Sequence, residues 1–488
     1  MALNRESNVP VLVGVGVVQQ RLDDSELAAD AASLMSAAVD IAARDAGSRF
    51  LVPAAEVILI PRGTWPYADP TPLILPRHGA IRSVVSDVGV LQQSLISRAC
   101  DLVSRGAAEI VIVCGGETKY RTLHGQISGS PAREREASVD ATERMIPDGE
   151  IITRAEIERG LAVPNCQYAL IDTALRRAQG LTRHAHIDLL AQLWSQFSDV
   201  AATNPDAWLR RHTEPGAFTE PSLTNPVLAW PYTKLHCSQW NVDQAAALII
   251  CNVSAAQRFG IARDRWVFAH AGIESNMMIP LTHRADLHRA PAVSCADVAL
   301  REHSRLAVRD IEHRDLYSCF PAAVRVQQAE FGLPLSQPAT VTGGMTFGGG
   351  PFNSYSIHSL AKMVEVLRTN PNDRGVITTI SGMLTKFGLS TWSCQPPATP
   401  YASIDVSSAT AAATPTVAFD AAYTGRARTL SYTVAGDRTG PTQGIAIGST
   451  PTGANCLVTT TDSTMMDDMM SNEWCDREIT VDGSLLIA

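Results

Sequence analysis

Lysine is nearly missing from this chain: Lys119, Lys234, Lys362 and Lys386 are the only four in 488 residues. Positive charge is carried by arginine, which suits bidentate phosphate recognition, although Arg- and Ala-rich usage also follows from a GC-rich genome. At a formal net charge of −9 the chain lacks the basic clusters that counterion release from a nucleic-acid backbone needs, so nucleic acid is not expected as a partner. Its ten cysteines never come closer than 14 residues apart, which excludes CxxC zinc or dithiol chemistry, and no metal is expected. Several lie in apolar runs, Cys114 in EIVIVCGG and Cys251 in ALIICNV, where a thiol packs as a small hydrophobe. That usage fits a reducing compartment. MALNRESNVP has neither the basic start nor the apolar core of a signal peptide. No apolar run approaches the roughly 20 residues that span a bilayer. A cytoplasmic protein of two to four compact units is expected.

What is present alternates. VPVLVGVGVV (9–18) reads as a strand buried on both faces. Its GxG is a weak dinucleotide signal, because Gln19 stands where a third glycine belongs. Residues 25–47 read as a helix with Ser25 at its start and Gly47 at its end. AEVILIP follows as a second strand, and residues 90–117 as helix, glycine stop and third buried strand. This is the rhythm of parallel α/β layers. It breaks over 118–235, charged and loop-rich, with one clear helix in CQYALIDTALRRAQG. It returns from NVDQAAALIICN through GVITTISG. Residues 395–415 have the Pro, Ala, Ser and Thr content of a linker. Beyond it, RARTLSYTV, QGIAIGS, NCLVTT and EITVDGSLLIA read as short strands, with a helix in STMMDDMMSNEW. That β-β-β-α-β order suggests a small OB-like barrel. Residues 416–488 hold nine acids against four arginines, so a nucleic-acid role is not expected there either.

The Thr-rich run PATVTG (338–343) leading into GGMTFGGGPFNSY (343–355) has the form of a strand entering a sharp corner and then a helix, with no nucleophile, base or lysine at the bend. Several stretches, in this order, resemble the thiolase superfamily, most closely the sterol-carrier-type thiolases and their actinobacterial thiolase-like relatives. They are VLVGVGVV, IVIVCGGE, PYTKLHCSQWNVDQAAALII, DLYSCFPAAVRVQQAEFGLP, GGMTFGGGP and SGMLTKFG. The resemblance spans about residues 8–394. It implies an α/β fold of five layers, αβαβα, in two similar halves. The halves would be 1–117 with 236–262, and 263–394; the insertion would be 118–235, the linker 395–415 and the OB-like unit 416–488.

The same resemblance implies where the chemistry would stand. Claisen chemistry needs a thiolate at a helix N-terminus, a base, a second acid/base and donors for the thioester oxygen. The nucleophile's place falls on Gly89, or on Ser86 with a three-residue slip. The first His falls on Tyr317, the His of the glycine corner on Gly350, the later Cys on Ser381, and the His of a TKH segment on Phe387. None is a catalyst of the expected kind. Cys100, Cys319, the adjacent His236 and Cys237, His358, and the His184/His186 pair are read as structural. Lys234, Lys386, Gly348, Gly349 and Gly350 are the candidate contacts for coenzyme A or acyl-CoA, taken as a ligand rather than a tightly bound cofactor. Three readings follow: a CoA-thioester-binding protein of lipid metabolism with a degenerate site; an active acetyl-CoA acetyltransferase or 3-ketoacyl-CoA thiolase with relocated catalysts; and a scaffold whose C-terminal unit binds another protein. An oligomer is compatible with each.

Overall fold

The computed structural model of the chain describes residues 8–79 and 81–487. The first elements are β1 (Pro10–Gln20), α1 (Ala31–Ala46), β2 (Val57–Pro61), β3 (Arg82–Ser86), α2 (Gln92–Ser104) and β4 (Ile110–Thr118). Helix α1 starts five residues later than Ser25 implies. Asp30 is the N-cap, accepting from Ser33 N, and Gly47 ends the helix in the left-handed conformation as expected.

The stretch that follows holds β5 (Glu143–Met145), α3 (Pro164–Ala178), α4 (Arg183–Thr203), β6 (Val227–Ala229) and β7 (Tyr232–Thr233). Only α3 is legible in the sequence. Helix α4 is 21 residues long and capped by Thr182, but it is packed on several sides, so its hydropathy shows no single apolar stripe.

The rhythm resumes with β8 (Asp243–Asn252), β9 (Val267–Ser275), α5 (Pro291–Ser304), β10 (His313–Asp315), α6 (Pro321–Phe331), α7 (Tyr355–Thr369), β11 (Arg374–Ser381) and β12 (Lys386–Ser393). The large sheet runs β10-β11-β12-β9-β1-β8-β4-β2-β3-β5. Its two parts repeat one pattern: β2-β4-β8-β1 and β10-β11-β12-β9 are each joined by one parallel and two antiparallel pairings. They meet at two residue pairs, Val11 with Phe268 and Leu12 with Val267. Helices α2 and α7 lie in one core with strands of both parts, while α1 packs outside the first part, and α5 and α6 outside the second. The order is therefore α, β, α, β, α.

The strand expected in PATVTG is not formed. The Asp315 carboxylate accepts from the amides of Val341 and Thr342 and from the hydroxyls of Thr340 and Thr342, and the Thr340 hydroxyl accepts from the Gly343 and Gly344 amides. Side chains have taken the donors that a strand ladder would use. The stretch 395–415, read as a linker, contains β13 (Ala402–Asp405) and α8 (Ser407–Ala413). β13 runs parallel to β9, covering an edge that β1 leaves open.

The last unit comprises β14 (Thr424–Asp437), β15 (Gly440–Ser449), β16 (Asn455–Thr460), α9 (Ser463–Ser471), β17 (Glu478–Asp482) and β18 (Leu485–Ile487). EITVDGSLLIA is thus a hairpin rather than one strand. β14 pairs with both β15 and β17, which closes a five-stranded barrel in the order β14-β15-β16-β18-β17. Its core holds Tyr432, Met466, Met469 and Trp474. The strand period sends Ala446 into that core, and Ile445 and Ile447 to the other side, where they join Leu161, Tyr168 and Leu457. The barrel and α3 share one interior.

Candidate functional site

Strand β3 ends at Ser86, and the chain turns through Gly89 into α2, whose N-terminus has no side-chain cap. Gly89 has φ +97°. A Cβ there would stand 3.2 Å from both Ile151 Cδ1 and Pro147 Cγ. Those two belong to the loop after β5, which is fixed to β3 by strand pairing and by the Arg144–Asp87 ion pair at 2.6 Å. From another side, Lys386 Nζ donates to the Gly89 carbonyl at 2.8 Å. Lys386 is 2% exposed, so it lies inside the protein rather than on a surface that meets phosphate. Burial lowers its pKa against the pull of the Glu274 and Asp148 carboxylates. Gly89, which the resemblance places at the nucleophile, is roofed by a loop and underlaid by an amine.

Lys386 opens β12 opposite Ser381, the end of β11. The turn between them holds three left-handed residues in succession, Gly382, Met383 and Leu384, at φ +55°, +50° and +73°. Ser381 is half-buried. Phe387, in the place of the TKH histidine, is fully buried edge-on to Phe331.

Tyr317 follows β10. Its amide donates to Thr378 Oγ1 at 2.8 Å, and its ring meets Tyr355 edge-on at 5.7 Å. Burial pushes the phenol pKa above its ordinary value, with Gln92 beside it acting the other way. Gln92 is the first residue of α2, and its Oε1 also accepts from Ser356 N and Oγ at 2.8 and 2.7 Å. One glutamine therefore joins the Gly89 turn, Tyr317 and the start of α7.

The glycine corner is internally bonded. Gly348 N donates to Gly344 O, Gly350 N donates to Gln239 O at 2.8 Å, and Gly348 O accepts from Trp208 N and Gln244 Nε2. A side chain at Gly349 would collide with Gln244, and one at Gly350 with the Ser238 hydroxyl. These glycines are required by close packing, and at Gly348 and Gly350 the amides already have acceptors. Lys234 is exposed, in a short turn over Lys234–His236.

Of the other cysteines and histidines named above, all but the exposed His184 stand where burial disfavours their charged form. Burial pushes the Cys319 thiol up to about 12 and raises those of Cys237 and Cys100, so thiolate is scarce at neutral pH. Burial lowers His236 to about 3; its Nδ1 accepts from Thr233 N. His358 lies in the first turn of α7, which starts only at Tyr355; burial lowers it to about 3 and its Nε2 has no partner. His184 pairs with Asp188 on the surface, while His186 is buried against Arg325 and Asp172. Among the described residues no group of three or more His, Cys, Asp or Glu could hold a metal. Sequence reasoning missed Gln92, the Pro147–Ile151 roof and the Asp315 anchor. Only the Gln-Gln pair directly after the turn offered a signal.

No protein-family model and no curated protein matches the chain. Solved structures do. A monomeric SCP2-thiolase like protein type 1 from Mycobacterium smegmatis aligns at 24% identity and TM-score 0.84, over 99% of both chains. An Ltp2-ChsH2(DUF35) aldolase aligns at 18% identity and TM-score 0.57, over 80% of this chain and 99% of that one. Human mitochondrial 3-ketoacyl-CoA thiolase aligns at 16% and 0.55, over 79% and 99%. The strand order, the five layers and these alignments agree: this chain has the thiolase fold, continued at its C-terminal end by a closed five-stranded barrel.

Proposed function

We propose that the protein binds coenzyme A or an acyl-CoA and does not carry out Claisen condensation or thiolysis. The observation that carries the second half is the Gly89 turn: a left-handed glycine, covered by Pro147 and Ile151 and bonded from below by Lys386, where acyl transfer would need an open thiolate. Ser238 in the space of a corner side chain, and a buried phenol at Tyr317, support the same reading. A CoA thioester as ligand, within lipid metabolism, rests on the shared fold and on the substrate that the human relative's name carries. Of the candidate contacts, Lys234 is the exposed cation available to a CoA phosphate, and residues 118–235 are the insertion that would carry such contacts. Cys319, buried, and Cys237, half-buried, both with thiols raised by desolvation, weigh against relocated catalysis. The barrel is read as OB-like from its strand order with a helix between the third and fourth strands.

Calorimetric titration with CoA and with acetyl-CoA tests the binding. Saturable heat is expected, and no heat at millimolar ligand would overturn it. Mass spectrometry after mixing with acetyl-CoA tests the chemistry. An unmodified chain is expected, and an acylated cysteine would overturn the inactive reading while leaving the binding intact.

A further inference from the structure

A second site lies where the hairpin turn after Ser381, the N-terminus of α5 and the segment after β13 meet. A cavity of about 60 Å³ opens there, lined by Met277, Ile279 and Leu384 on its apolar side. None of Gly89, Tyr317, Gly350 or Lys386 lines it. By volume it holds more than one water, since roughly 10–15 Å³ suffices for one.

Its polar wall is unusual in what remains unanswered. Arg284 lines the cavity and is 3% exposed. Its Nε and Nη2 donate to the carbonyls of Ile279 and Gly382; among the described residues no carboxylate pairs with it directly, and the buried Glu156 carboxylate, bonded to Thr282, acts on it only from beyond ion-pairing distance. A guanidinium removed from water with no counter-charge in contact is costly, and an anion in the cavity would supply one. Thr410, also 3% exposed, lines the cavity; its hydroxyl makes no well-formed hydrogen bond, although it stands beside the Cys295 thiol. The third group is the start of α5, a 14-residue helix with Ala290 at its N-cap and Pro291 first, and no side chain capping it. The Ala290 amide is taken by Glu330 and the Val293 amide by Ala290 O, while Ala292 lines the cavity. Helix N-termini favour negative charge. Asp286 and Arg289 are both exposed at the rim, and Arg289 is paired with Glu330. Thr385 and Thr414 donate to nearby carbonyls.

We propose that this cavity binds a small oxyanion, the phosphate or carboxylate of a compact ligand, gripped by Arg284, Thr410 and the first turn of α5. The site is separate from the thioester reading and stands whether or not CoA binds.

Titration calorimetry of the full chain with sodium phosphate, and separately with sodium acetate, at constant ionic strength tests it. Saturable binding at millimolar or lower concentration is expected for at least one probe. Tighter phosphate identifies a phosphoryl ligand and tighter acetate a carboxylate one. Thr410→Val removes only the hydroxyl and keeps the shape; it is expected to weaken binding about three- to tenfold. Arg284→Gln is expected to abolish it; should that variant fail to fold, Thr410→Val decides alone. No saturable heat from either probe at about 20 mM, or a Thr410→Val protein that binds as tightly as the parent, would overturn the proposal.

Discussion

The two glycine turns occupy matching topological places and are closed in opposite ways. In the first half, Gly89 follows a formed strand, β3, and is covered by a loop from outside and an amine from within. In the second half the equivalent strand is absent. The chain reaches Gly350 through a stretch tied to Asp315, and the space beside the glycine is filled by Ser238. Adding a side chain at either turn would therefore meet a different obstacle. At Gly89 the backbone conformation and a removable loop stand in the way; at Gly350 it is a neighbouring residue.

The largest test breaks the second half alone. Asp315→Ala strips the acceptor from two amides and two hydroxyls in the buried approach to the corner, and also from the Tyr355 hydroxyl. A loss of about 3–5 kcal/mol is expected in urea unfolding. Gly350→His is expected to cost about 1–3 kcal/mol by overpacking, part of it recovered by adding Ser238→Gly, with no thiolysis of acetoacetyl-CoA from either protein.

Gly89→Cys sharpens the contrast from the other side. A Cβ in the left-handed region costs roughly 1–2 kcal/mol, and the new thiol should react slowly with iodoacetamide. Adding Pro147→Gly and Ile151→Gly should speed that alkylation. Equal rates with and without the loop changes would show that the loop does not cover the turn.

The central helices differ in titration. Helix α2 begins with two glutamines, whereas α7 carries His358, held near 3 by burial. Between about pH 6.5 and 3 the unfolded chain binds a proton that folded His358 does not, so its contribution is full above pH 6.5 and is lost as pH falls. The slope is at most about 1.4 kcal/mol per pH unit. His358→Leu should flatten the acid side of the stability curve relative to the parent. The smallest effect is Lys234→Ala, expected within about 0.5 kcal/mol of parental stability while weakening CoA binding in calorimetry.

Much of the sandwich is legible because β1, β4 and β8 are buried on both faces and read as unbroken apolar runs. The missing strand was not legible. Its residues are β-branched and suit a strand, and what redirects them is a carboxylate more than 20 positions earlier. Lys386 likewise reads as a candidate phosphate contact until the fold brings it to Gly89, 297 positions away. That Gly89, Tyr317 and Gly350 stand where the resemblance would put catalysts rests on motif order alone. The loop over Gly89 and the Ser238 hydroxyl beside Gly350 had no signal in the sequence, because packing neighbours leave no local pattern.

The common interior of α3 and the barrel has a consequence for synthesis. Ile445, Ile447 and Leu457 share a core with a helix that ends at Ala178, Ser431 Oγ of β14 donates to the Leu170 carbonyl on that helix, and Arg159 donates to the carbonyls of Ala421 and Leu457. At about 5–20 residues per second, α3 leaves the ribosome well over ten seconds before its cover exists. During that interval its apolar side must be shielded by something else, which makes the nascent chain a natural client for chaperones and makes early termination anywhere before β16 a source of sticky, unfinished protein.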